Sequence, residues 1–305
     1  MKHNIQELPL EQAIALYEKG ALQQAQTAFE LLRHNAPNNE EVLLYLSYIA
    51  VGLEEPEKAE PYLVNLLRIH PDKAEYHYLL GASLGLQALK SGTFRQMLLA
   101  PRMKASFEEA IRLDKEHTEA RKALVDYYLK APAILGGTPK ALEEASSIEK
   151  YDKRTGLLVK AKIYNESGEE KKAVECLEQL LLSGSAEAGD YMQLVGYWKR
   201  EGNLWVKLER FKEQYSSLPQ TYYLVALASL DTESHTEEGI QAINQYISKV
   251  GKQEKEIYAD AYCKLGKLYI QRRQKNEAFD AFEKALEYCP DSVEANEEIS
   301  KLKRD

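Results

Sequence analysis

Two intervals fix the frame in which this chain can fold. Ala25 and Ala59 stand 34 residues apart, and so do Pro37 and Pro71. A small residue followed at a fixed distance by a helix-stopping proline, twice at one period, marks a stack of like structural units. Such a stack lengthens its core along one axis with each added unit. The 305 residues therefore need not divide into the two domains that length alone suggests.

The clearest unit stands near the carboxyl end. It reads Tyr262, Leu265, Gly266, Tyr269, then Ala278, Phe282, Ala285 and Pro290. In these positions the chain resembles the tetratricopeptide repeat family, whose pattern is aromatic-x2-Leu-Gly-x2-Tyr, Ala-x3-Phe, Pro. The same phase runs back through the chain. The first unit, near 6–39, carries Ala13, Leu16, Gly20, Ala25, Phe29, Leu32 and Pro37. The second, 40–73, carries Leu43, Leu46, Ala59, Leu63, Leu66 and Pro71. The third, 74–117, opens with His77, Leu80, Gly81 and Leu84 and resumes at Met103, Phe107 and Ala110, about ten residues late against the repeat length. The fourth, 118–153, opens with Arg121, Leu124 and Tyr128 and resumes at Ala141, Ala145 and Ile148 after about four extra residues. The fifth (154–187) has Leu157, Ala161, Tyr164, Gly168, Ala173 and Leu177, and the degenerate sixth (188–220) has Tyr191, Leu194, Trp198, Gly202, Phe211 and Pro219. The seventh (221–256) has Tyr223, Ala226, Leu227, Gly239, Ile243 and Tyr246, and the eighth is 259–292.

Packing explains the pattern. Small residues such as Ala25, Gly81 and Gly266 stand where two helices approach closely. Large ones at three- and four-residue spacing form one apolar face. Gly20, Gly168 and Gly202 fall in the turns inside units, and Pro37, Pro71, Pro219 and Pro290 are expected to close them. The resemblance implies an all-α fold over 1–305, a right-handed superhelix of about eight helix pairs. A cap over 293–303 begins at Asp291 or Ser292 as N-cap. No domain boundary is visible.

Two segments break the period. Residues 90–101 contain Phe94, Met97, Leu98 and Leu99, too many apolar side chains for a solvated loop. An extra turn or a lengthened helix that packs on something is predicted. Residues 127–141 read Tyr127-Tyr128-Leu129-Lys130-Ala131-Pro132-Ala133-Ile134-Leu135-Gly136-Gly137-Thr138-Pro139-Lys140-Ala141. This segment resembles one that recurs in a bacterial subgroup of these repeat proteins, with the motif Ala-Pro-x-Ile-x-Gly-Gly. Gly136-Gly137 lacks the strand and the Gly-Lys-Ser/Thr of a phosphate loop, so a sharp turn into the next helix is the simpler reading. Both insertions are expected on one rim, where they either overhang a groove or only stiffen a bend.

The sequence shows no catalytic constellation, and the expectation is that the chain is not an enzyme. No His lies at metal-ligand spacing from another His or Cys, so no metal or other cofactor is expected, and the six histidines read as surface polarity. A net charge of −8 argues against nucleic acid as a partner. No apolar run reaches the roughly 18 residues of a membrane span, so no membrane insertion is expected. The amino terminus does not read as a signal peptide, and Cys176, Cys263 and Cys289 fit no disulfide pattern. A cytoplasmic location is expected, or a periplasmic one if a leader is removed.

The resemblance implies that the first helix of each pair lines a concave groove. The groove positions are Tyr45, Tyr48, Tyr78, Lys122, Asp126, Lys162, Asn165, Met192 and Lys199. Aromatic side chains toward one end and charges toward the middle suit an extended peptide or a helix, although the tyrosines also fit inner packing. Chaperone-binding members hold a terminal carboxylate with a Lys and Asn clamp, which the matching positions here lack. A protein-interaction scaffold is therefore expected. The alternative is a self-assembling structural protein, with apolar surface exposed at the weak seventh unit.

Overall fold

The computed structural model describes residues 9–131, 136–250 and 254–304. Within them lie seventeen α-helices and no strand. The helices form hairpins in chain order: α1 (Leu10–Glu18) with α2 (Leu22–Asn35), α3 (Glu40–Gly52) with α4 (Pro56–Ile69), α5 (Ala74–Leu89) with α6 (Thr93–Leu113), and α7 (Thr118–Lys130) with α8 (Thr138–Glu149). α9 (Lys153–Glu166) and α10 (Glu170–Leu182) follow in sequence, and further hairpins are α11 (Ala188–Arg200) with α12 (Leu204–Gln214), α13 (Pro219–Thr232) with α14 (Thr236–Lys249), and α15 (Lys255–Gln271) with α16 (Lys275–Tyr288). A last helix, α17, spans Val293–Leu302. The chain forms two compact units that meet inside α9, between Ile163 and Tyr164.

In the amino-terminal unit the core is handed from one hairpin to the next. Ala13, Ala25 and Phe29 pack with Val42, Leu46 and Ile49 of the following hairpin. Leu43, Ala59, Leu63 and Leu66 pack with Tyr76. Phe107 and Ala110 pack with Leu124, Tyr128, Ala141, Ala145 and Ile148. The residues that carry the period are thus the ones that leave water. Each large side chain, such as the fully buried Phe29, contributes about 1.5–3 kcal/mol by that transfer. In the carboxy-terminal unit Ala278, Phe282 and Ala285 pack with Ala295 and Ile299 of α17.

The turn glycines behave as their positions demand. Gly20, Gly168 and Gly202 have φ of +75°, +75° and +71°, left-handed backbone in the turns that follow α1, α9 and α11. Ser292 is the N-cap of α17, its Oγ accepting from the Ala295 amide at 3.3 Å. Gly137 has φ +91° and donates its N–H to the Tyr128 carbonyl at 2.8 Å, with Pro139 in the first turn of α8. That amide is committed to a turn. Residues 132–135 of the same segment lie outside the described residues.

Three expectations need correction. Pro219 does not stop a helix. α12 has already ended at Gln214, and Pro219 occupies the first turn of α13, where its missing N–H has no partner to lose. Among the described residues α13 and α14 carry no exposed large apolar side chain. Residues 223–229 of α13 are buried without interruption, because α11, α12, α14 and α15 all contact this helix. The exposed apolar surface is instead at the start of α6. The 90–101 insertion does lengthen this helix to 21 residues. However, Phe94, Met97 and Leu98 are 77%, 69% and 58% exposed, and only Leu99 is buried. The preceding hairpin ends in a 14-residue helix and the next begins with one of 13 residues. The first turns of α6, with Leu89 beside them, extend past both.

Candidate functional site

The sequence-derived positions lie on the first helices of the hairpins, and the two units are described in turn. In the amino-terminal unit, α3 presents Tyr45 and Tyr48 three residues apart, so their rings meet edge to face at 6.4 Å. Tyr45 also stacks on Phe29 at 4.9 Å and takes the edge of Tyr17 at 5.2 Å. It is half-buried against the core and serves packing. Tyr48 and Tyr78 are more open in function. Both are half-buried, yet neither hydroxyl hydrogen-bonds to another described residue. By contrast Tyr62 donates to Glu30 at 2.5 Å, and Tyr76 donates to Glu40.

Burial, followed by the nearby Glu75 carboxylate, raises the Tyr48 phenol above its ordinary value of 10.0. Burial, then Glu119 and Glu75, does the same for Tyr78. Both therefore remain O–H donors across the physiological range. Tyr78 is held in place by ring contacts, with Phe107 at 6.1 Å and His117 at 5.1 Å.

His117 is not mere surface polarity. Its side chain is 10% exposed, and its Nδ1 accepts from the Ala120 amide at 3.3 Å as the N-cap of α7. Its Nε2 points at Glu75, 3.4 Å away. Glu75 and Glu119 were not singled out in the sequence, and His117 was read there only as surface polarity. They become neighbours of Tyr48 and Tyr78 only once the hairpins are superposed on the repeat.

The expected charged positions are paired. Lys122 holds Glu119 at 2.9 Å, and Lys162 holds Asp126 at 2.6 Å. The second pair joins first helices of adjacent hairpins, 36 residues apart. Both pairs are about half exposed, so each contributes less than about 1 kcal/mol and yields readily to a partner.

In the carboxy-terminal unit, Lys199 holds Asp231 at 2.8 Å, again between first helices of adjacent hairpins. Asn165 is exposed at the end of α9 and Met192 is half-buried on α11. No hydrogen bond, ion pair or ring contact joins either of them to another position of the set.

A polar cluster that the sequence reading missed lies deeper in this unit. Tyr223 donates to Asp260 at 2.5 Å, Asp260 holds Lys264 at 3.0 Å, and Lys264 reaches Glu294 of α17 at 3.4 Å. Lys267 closes the cluster on Glu294 at 2.5 Å. Burial pushes the Lys264 ammonium down, but the Asp260 and Glu294 carboxylates more than offset it, so its pKa is raised. Burial pushes Glu294 up, and the hydrogen bond and charges of Lys267 and Lys264 reverse this, leaving it below 4.5. The Tyr223 ring packs against those of Tyr191 and Tyr246 at 5.2 and 4.9 Å, and burial, then Asp260, pushes Tyr246 up to about 12. The i,i+4 pair Asp260 and Lys264 was the one visible signal. Among the described residues no group of three or more His, Cys, Asp or Glu is arranged to hold a metal. No described helix is long and apolar enough to cross a membrane.

Residues 259–292 match the family model described as tetratricopeptide repeat. No curated protein matches the chain. Among solved structures it is similar to TTC0263, a thermophilic TPR protein of Thermus thermophilus, with 17% identity over 62% of this chain and 96% of that one, at a TM-score of 0.47. MamA is similar at 20% identity over 55% of this chain and 92% of the other, TM-score 0.45. The C-terminal part of a TPR repeat-containing protein from Cytophaga hutchinsonii is similar at 13% identity over 94% and 98%, TM-score 0.45.

Proposed function

We propose that this chain is a tetratricopeptide-repeat interaction scaffold. It holds a peptide segment of a protein partner on the first-helix face of its amino-terminal unit. The observation that carries the reading is the state of Tyr48 and Tyr78. Two half-buried rings are fixed by packing, and their protonated hydroxyls have no partner among the described residues. Such rings cover apolar side chains at little entropic cost, and the hydroxyls donate to peptide carbonyls. Glu75, Lys122 and Asp126 supply a polar rim that fixes register. Affinity capture from the native lysate with wild type and with Tyr48→Ala/Tyr78→Ala in parallel tests this. A partner enriched by wild type and lost from the variant supports the site; a partner captured equally by both refutes it.

Self-association is the second reading, and the exposed tip of Leu89, Phe94, Met97 and Leu98 favours it. Sedimentation against concentration, with Phe94→Glu/Met97→Glu as control, decides it. A monomer at all concentrations would remove this reading.

A further inference from the structure

A second surface lies on the carboxy-terminal unit, walled by the second helices α12 and α14. α12 presents Trp205, Leu208, Glu209, Lys212 and Glu213, with Ser216 just beyond its end, a single stripe at three- and four-residue spacing. α14 presents Glu238, Gln241, Ala242 and Gln245, a stripe of the same kind. Between the stripes lies a trough of about 460 Å³, floored by Tyr222 and Val225 of α13. Trp205 to Gln214, where α12 ends, is about 14 Å of helix at 1.5 Å per residue, the length of a short peptide segment. The volume falls within the range of about 300–1,000 Å³ in which proteins hold ligands.

The floor and rim differ in chemistry. Leu208, Val225 and Ala242 are buried apolar side chains. Trp205 stands half-buried at one end, stacked on His235 with ring centroids 3.9 Å apart. Glu233 and His235 hold left-handed backbone, φ +48° and +54°, in the α13–α14 turn that sets this imidazole over the indole. Among the lining residues three carboxylates face the Lys212 ammonium, and a second ammonium, that of Lys249, stands over the Tyr222 ring at 5.4 Å. Lys212 is bound to Glu209 at 2.8 Å. Glu213 and Glu238 are exposed and make no ion pair or hydrogen bond with any described residue.

We propose that this trough docks a short basic amphipathic segment of a partner protein. A large apolar side chain of the segment would lie against Trp205 and Leu208, and Lys or Arg side chains would pair with Glu213 and Glu238. An acidic peptide or a nucleic acid would meet uncompensated carboxylates there. The site uses none of the residues invoked for the first-helix face.

A random dodecapeptide library displayed on phage and panned on the full chain tests the assignment. Recovered peptides are synthesised, and their affinity is measured by fluorescence anisotropy. The expected peptides carry one large apolar residue and at least two Lys or Arg. They should lose at least tenfold in affinity on Glu213→Lys/Glu238→Lys and on Trp205→Ala. The double variant changes two exposed side chains, so its circular dichroism and melting temperature should match wild type. The inference is overturned if no recovered peptide depends on these residues, or if the dependent peptides are acidic or uncharged. Peptides lost only on Tyr48→Ala/Tyr78→Ala would overturn it too, while supporting the other site.

Discussion

Gly81 lies so close to the ring of Phe107 that an added β-carbon would stand 2.6 Å from it. Gly266 has the same relation to Phe282, again at 2.6 Å. The second pair is separated by 16 residues and the first by 26. The hairpin of α5 and α6 therefore carries its ten extra residues beyond the contact without displacing it. That extension forms the exposed tip.

Gly81→Ala and Gly266→Ala should both destabilise, despite a gain of about 1 kcal/mol in helix propensity. Overpacking of this kind costs about 1–3 kcal/mol, so the net loss should reach about 2 kcal/mol. Urea titration measures it. In a Phe107→Leu background Gly81→Ala should become nearly harmless, and an unchanged loss there would refute the contact as the cause.

Arg121 is a larger liability. Its guanidinium is 10% exposed, holds Glu144 at 2.5 Å and donates twice to the Lys115 carbonyl, at 3.1 and 2.9 Å. Arg121→Ala leaves a largely buried carboxylate unpaired and should cost about 3 kcal/mol. Arg121→Lys should restore only part of this, because one ammonium cannot span both acceptors. Equal stability of the lysine variant and wild type in chemical denaturation would contradict this.

The docking of α17 should depend on pH at both ends. Glu294 has a lowered pKa, so its contribution is present above the ordinary 4.5 and is lost as pH falls through its folded value. Lys264 has a raised pKa, so its contribution is present below 10.5 and is lost as pH rises through its folded value. Docking is then strongest between about pH 5 and 10. Amide exchange at Ala295 and Ile299, corrected for intrinsic rates, should accelerate outside that window. Glu294→Gln should abolish the acid limb; an acid limb that survives would assign it to other carboxylates.

The tip of α6 should be dispensable for folding. Phe94→Ser/Met97→Ser changes side chains that are 77% and 69% exposed, so stability should stay within about 0.5 kcal/mol of wild type. A greater loss, read by thermal melting, would mean that the tip packs in solution.

The fold was legible because its signals are local. Small and large residues at fixed spacing, Gly20 and Gly168 in left-handed turns, and Ser292 before its helix each depend only on near neighbours. Pro219 was misread because the same residue that cannot follow a helix can begin one, and Tyr215 to Leu218 carried no stop signal. Tyr45 shows the limit for the site, since a groove position in the repeat also faces Phe29 of the preceding hairpin. His117 and Glu75 stand 42 residues apart, and nothing in either segment announces the other. The exposure of Phe94 depends on how far neighbouring helices reach, a property of three hairpins at once.

The ion pairs between first helices bear on whether these hairpins are interchangeable. Asp126 meets Lys162 from the following hairpin, and Lys199 meets Asp231 in the same way further along. Tandem duplication of α7–α8 would set one Asp126 beside a second copy of itself. At these two junctions the sign on one hairpin thus names its successor, and lengthening the array by copying α7–α8 or α11–α12 would require a charge reversal at the new junction.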